Sequence, residues 1–168
     1  MTSTADFGRA SLYAAESQVG RLMDTFPALK PVTLFGSEIV FPVEQKFSDL
    51  QDLTHYISAV LQKSSVVERF GIHPAPAVRE RRGQTKAHYD YSARTIAVPM
   101  QSTWALRELV VLHELAHYLV HCTVPSAQPH GAEFASAFHY LVQELLGTEV
   151  AWLLSVAFTD AGVAPWRS

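Results

Sequence analysis

The chain has a single cysteine, Cys122, among 168 residues. An internal disulfide is therefore impossible, and a four-cysteine zinc ribbon is excluded. Charge is also sparse. Asp, Glu, Lys and Arg make up 17% of the sequence and sum to −3, which argues against a dedicated nucleic-acid binder. No apolar run approaches the ~20 residues that cross a bilayer, so no membrane partner is expected. Residues 1–6 carry neither the basic nor the apolar segment of a secretory leader, so the expected location is cytoplasmic. There is no internal repeat and no low-complexity tract. What is abundant is apolar side chain: 48% of the residues are hydrophobic. That is enough for a real core, and one domain over residues 1–168 is expected.

One stretch carries chemistry. His113-Glu114-Leu115-Ala116-His117 is an H-E-x-x-H match inside residues 104–120, a run of helix formers free of Gly and Pro. On a helix, residues i and i+4 share a face, so the two imidazoles can point at one ion. Glu114 is offset by about 100° around the axis and can stand beside the ion rather than on it. A catalytic zinc usually has three protein ligands and one open position. The third is expected from another segment, and His130 follows a loop at the start of the next helix. His113, His117 and His130 are therefore the candidate metal ligands, with Glu114 as general base. Glu133, one turn beyond His130, could ligate in its place or hydrogen-bond a ligand histidine.

Other histidines fit less well. His121 completes an i, i+4, i+8 stripe with His113 and His117, but eight residues of helix span ~12 Å, too far for one ion. It reads as a partner that supports a ligand histidine from behind, or as a helix-end charge. His139 lies too far along its helix to join His130. His55 reads as a surface residue and His73 as a loop residue. Cys122 reads as a small hydrophobe.

The surrounding pattern predicts α+β architecture. Helices are expected over residues 11–26, from a Ser48/Gln51 capping box onward, over 131–146 and over 149–160. Residues 32–41 predict a hairpin turning at Gly36-Ser37. Residues 77–82, 86–91 and 95–98 predict a short antiparallel meander, with a turn at 83–85, directly before the metal helix. That helix is expected to start from Ser102 or Thr103 as N-cap and run to about His121. Arg79, Arg81 and Arg82 read as a solvated strand edge. Strand alternation puts Tyr89 and Tyr91 on one face and His88 and Asp90 on the other. The two tyrosines are candidates to stabilise the oxyanion of a tetrahedral intermediate.

Taken in order, the meander, the His88-Tyr89-Asp90-Tyr91 strand, the HELAH helix, the short loop and His130-Gly131-Ala132-Glu133-Phe134 resemble the SprT-like zincin metallopeptidases. The likeness is closer to a small group of actinobacterial metallohydrolases with HELAH and a downstream HGxEF. The stretches that carry it are residues 11–16, 35–37, 78–83, 93–99, 104–117, 130–134 and 156–162, nearly the whole chain. The resemblance implies a compact zincin-like fold, a short antiparallel sheet packed on helices that include the HExxH helix. It implies one Zn²⁺ per chain on His113, His117 and His130, with Glu114 catalytic. It implies no particular substrate. The chain lacks the Cys-rich tail of the DNA-repair enzymes of SprT type, which argues against a role on DNA–protein crosslinks.

The expected function is therefore that of a zinc-dependent metallohydrolase. Foremost is a peptidase that cleaves peptide or protein substrates by Glu114-assisted attack of zinc-bound water. The alternatives are an amidohydrolase acting on a small non-peptide substrate, or a zinc-stabilised binding protein without turnover.

Overall fold

The computed structural model describes residues 8–82 and 86–163. Along the chain run α1 (Arg9–Thr25), β1 (Pro31–Leu34), β2 (Ser37–Val40), α2 (Leu50–Leu61), α3 (Ser64–Phe70), β3 (Ala77–Glu80), β4 (His88–Asp90) and β5 (Thr95–Val98). A 3-10 turn over Thr103–Ala105 follows, then α4 (Glu108–Thr123), α5 (Ala132–Leu146) and α6 (Thr148–Asp160). The class is α+β. None of the described helices is long and apolar enough to cross a membrane. Two units can be distinguished, residues 8–44 with 127–163, and residues 45–126.

In the first unit α6 packs against both α1 and α5. Leu12, Ala15 and Val19 of α1 recur at helical spacing and are fully buried. Phe134, Phe138, Leu141 and Val142 of α5 are buried with them, as are Val150, Leu154 and Phe158 of α6. Gly147 sits at φ 93° between α5 and α6, a backbone state that favours glycine at a helix end. β1 and β2 form the expected antiparallel hairpin, with Leu34 opposite Ser37. Its turn is one residue earlier than Gly36-Ser37. Phe35 (φ 51°) and Gly36 (φ 76°) are the central pair, both left-handed as a type I′ turn requires.

The second unit holds the three-stranded sheet, in the order β3-β5-β4. The antiparallel meander expected from sequence is not what forms. β4 and β5 pair antiparallel, but β3 pairs with β5 in parallel, Val78 opposite Ile96. The reason lies in composition. Thr95-Ile96-Ala97-Val98 is buried at all four positions, which suits a central strand, whereas Ala77–Glu80 alternates exposed with half-buried residues and suits an edge. Arg79 and Arg82 are exposed near that edge, as expected, whereas Arg81 is half-buried and donates to Lys86 O at 2.8 Å. The turn placed at 83–85 lies outside the described residues. α3 is a short helix that the sequence pattern did not suggest. α2 is capped by Asp49, whose Oδ1 accepts the Asp52 N–H at 2.8 Å, not by Ser48, which instead donates to the Asp52 carboxylate.

The metal-motif helix α4 also starts later than Ser102 or Thr103. Residues 45–47 run antiparallel to residues 106–108: Phe47 N–H donates to Leu106 O at 3.0 Å and Glu108 N–H to Gln45 O at 2.9 Å. This pairing holds Arg107 extended, at φ −124° and ψ 150°, so the helix cannot begin before Glu108. The buried Glu108 carboxylate completes the clasp. It accepts the Gln45 N–H at 3.0 Å and the Tyr56 hydroxyl at 2.6 Å.

Candidate metal centre

α4 is apolar almost all round, and every residue from Glu108 to Val120 except Val110 is buried. Burying two imidazoles and a carboxylate in such a helix is costly unless each finds polar partners or an ion. His113, Glu114 and His117 are 1%, 3% and 6% exposed. The two histidine rings lie 5.0 Å apart, centroid to centroid, tilted at 66°, the neighbour relation that i, i+4 spacing predicts.

His130 precedes the N-cap residue Gly131 of α5 and is 7% exposed. Its ring is held from two sides. Phe134, one turn into α5, meets it edge-on at 5.2 Å, and Tyr13 of α1 lies at 5.6 Å. Arg9 in turn covers the Tyr13 ring at 5.7 Å. The backbone of Gly8, the N-cap of α1, sits against the His130 carbonyl.

His113, His117 and His130 each offer a nitrogen, and these atoms lie within 4.8 Å of one another. Two imidazoles on a tetrahedral zinc hold their nitrogens roughly 3.4 Å apart, a spacing that a set within 4.8 Å approaches. Three imidazoles are also a donor set that zinc accepts. The residues present therefore fit a metal. Among the described residues this is the one group of that kind, and neither Glu133 nor His139 belongs to it. Glu133 is exposed, its carboxylate folded back near Gly131. His139 is buried in the first unit, where its Nε2 donates to Ser155 Oγ at 2.9 Å, and that hydroxyl donates to Ala151 O. His55 is exposed, and His73 donates to Phe70 O.

Tyr89 and Tyr91 do share one side, their rings 4.9 Å apart. Tyr91 stands just beyond β4, in the turn rather than in the strand. The Tyr91 hydroxyl lies 2.9 Å from His117 Nδ1, and the Tyr89 hydroxyl 2.9 Å from His121 Nδ1. His121 is thus tied to the tyrosine pair and is absent from the metal group. Tyr89 is buried, which pushes its phenol up to about 12. Burial raises the Tyr118 phenol as well, and a hydrogen bond in which its O–H faces the Cys122 sulfur adds to that. The Tyr118 hydroxyl donates to Pro74 O.

Sequence reasoning did not find the supports of His130. Nothing in the pattern of Gly8 or Tyr13, more than a hundred residues earlier, signals contact with His130. It also missed Glu108 as the anchor of the metal-motif helix, although an acidic residue in the first helical turn is a signal that could have drawn attention. Compared with family models, with curated proteins and with solved structures, the chain matches none.

Proposed function

We propose that this protein is a zinc-dependent peptidase, a metallohydrolase that cleaves amide bonds of peptide or protein substrates. His113, His117 and His130 are the metal ligands and Glu114 is the general base. The observation that carries the reading is the grouping of three buried imidazoles, two of them flanking Glu114 on one helix. When bound, zinc supplies a Lewis acid for the scissile carbonyl and lowers the pKa of water toward about 7. The protein's own work is to hold the three rings and to move a proton. Glu114 accepts the proton that water loses as it attacks, and returns it to the departing amine. Its burial supports this role, because a carboxylate shielded from bulk water acts more strongly on a developing charge nearby. A purely structural zinc needs no such base and fills its fourth position with protein.

The test is elemental analysis of the purified full chain, wild type beside His130→Ala, followed by incubation of both with an unfolded protein substrate. About one zinc per chain in the wild type, with zinc and cleavage both lost in the variant, is the expected result. A wild type that takes up no zinc when zinc is supplied overturns the reading. Zinc without cleavage of any peptide bond overturns the peptidase assignment and leaves a metal-stabilised protein.

A further inference from the structure

We infer that Tyr91 is a positioning residue for the metal ligand His117, fixing which ring nitrogen that histidine presents. The inference rests on the metal reading above and deepens it. The Tyr91 hydroxyl lies 2.9 Å from His117 Nδ1. With Nδ1 engaged, Nε2 is the nitrogen that remains to bind an ion. A neutral imidazole that coordinates through Nε2 keeps its proton on Nδ1, so Nδ1–H donates and the phenol oxygen accepts. The phenol keeps its own O–H to donate elsewhere. Ligand histidines commonly have such a partner, which orients the ring and holds the tautomer.

The phenol is held in place by its surroundings. Tyr91 opens a turn that Asp90 ties down: Asp90 Oδ1 accepts Ser92 N–H at 3.0 Å, the Ser92 hydroxyl at 2.8 Å and Ala93 N–H at 3.1 Å. Its ring meets Tyr89 at 4.9 Å and His121 at 5.2 Å. The register follows from elementary geometry. Four residues of helix rise about 6 Å, and two residues of extended chain advance about 6.6 Å. A tyrosine at every second extended position can therefore meet a histidine on every turn of an antiparallel helix. Tyr89 with His121 and Tyr91 with His117 are two such steps. Only the second step ends on a member of the metal group, so the first is a built-in control.

The experiment measures zinc affinity by chelator competition on the full chain: wild type, Tyr91→Phe and Tyr89→Phe. A long-range proton–nitrogen spectrum of each zinc-loaded form reports the His117 tautomer. Tyr91→Phe should weaken zinc binding by about 10- to 100-fold and lose the slowly exchanging His117 Nδ1 proton. Tyr89→Phe should stay within about threefold of wild type and keep that proton. Phenylalanine retains the ring, so a purely packing role would leave both readouts unmoved. Should Tyr91→Phe melt lower without metal, the His117 proton decides, because general loosening would not alter that nitrogen alone. Equal affinity and an unchanged proton in Tyr91→Phe overturn the inference, as does equal weakening by both variants. A wild type that binds no zinc overturns the metal reading itself, a different result from wild-type binding that Tyr91→Phe leaves intact.

Discussion

Gly8 and His130 meet backbone to backbone. A Cβ added at Gly8 would come closer to the His130 carbonyl oxygen than real side chains approach, and would also press on the His130 carbonyl carbon at 3.3 Å. The close neighbour is main chain, so it cannot swing aside as a flexible side chain would. Gly8→Ala must therefore move either the first turn of α1 or His130. We expect a loss of about 1–3 kcal/mol in stability, typical of forcing atoms into a packed site, together with weaker zinc binding. Urea unfolding and a zinc titration on the same preparation check both. Unchanged values in both would mean that α1 shifts at no cost, and that its N-terminus does not position His130.

How much of this could be read in advance depends on the range of the signal. The H-E-x-x-H helix was legible because everything it needs is local: i, i+4 spacing and a run free of Gly and Pro. His130 was legible by elimination, as the next histidine after a loop. The common side of Tyr89 and Tyr91 followed from alternation. What their hydroxyls reach did not, because that depends on α4 lying against β4, a tertiary fact. The order of the sheet failed for a related reason. Adjacent strands pair by default in a sequence reading, but the four buried positions of β5 favour the centre, and β3 joins on its far side. The start of α4 was misplaced because pairing with residues 45–47, about sixty residues earlier in the chain, overrides local helix propensity.

That pairing has a measurable cost of removal. Glu108 Oε1 accepts from the Tyr56 hydroxyl and Oε2 from the Gln45 N–H, all part-buried. Glu108→Ala leaves both donors short of an acceptor. Hydrogen bonds to charged groups contribute about 1.5–3 kcal/mol each, and an orphaned buried donor adds a desolvation penalty. We expect Glu108→Ala to cost about 3–5 kcal/mol and Tyr56→Phe about 1–2 kcal/mol. The two are not additive, since they share a bond, and a double-mutant cycle in urea should show coupling of about 1 kcal/mol or more. Full additivity would show that the 2.6 Å contact contributes nothing to stability.

His88 predicts a pH dependence that has nothing to do with metal. It lies on the side of β4 opposite Tyr89, and its buried Nδ1 has no hydrogen-bond partner among the described residues. Burial lowers its pKa, and Arg81 and then Arg79 lower it further, against a smaller opposing pull from Asp90. The unfolded chain, with the ordinary value of 6.5, therefore takes up this proton before the folded chain does. The stabilising contribution of the neutral ring is fully present above pH 6.5 and is lost as pH falls from there toward the folded value. Removing the group should flatten that part of the curve. Metal-free wild type and His88→Gln, unfolded in urea between pH 8 and pH 5, should diverge in slope below pH 6.5, with the wild type falling more steeply. Parallel curves would mean that His88 titrates alike in both states.

The sharpest separation of binding from chemistry is Glu114→Gln. The exchange keeps the shape and one acceptor oxygen, turns the other into an NH₂ donor, and removes the charge and with it the ability to take a proton. Glu114 does not belong to the group of three imidazoles, so zinc content should stay at the wild-type level. Turnover should fall by about 10²–10⁴-fold, the range lost when a positioned general base is removed. The fall should lie in kcat rather than in KM, because the proton moves only as the transition state forms. Loss of zinc in this variant would make Glu114 a ligand and leave the site without an assigned base. Zinc and activity both retained would move the proton transfer to another group. Of the residues already near the site, Tyr91 would be the first to substitute, since its hydroxyl reaches His117.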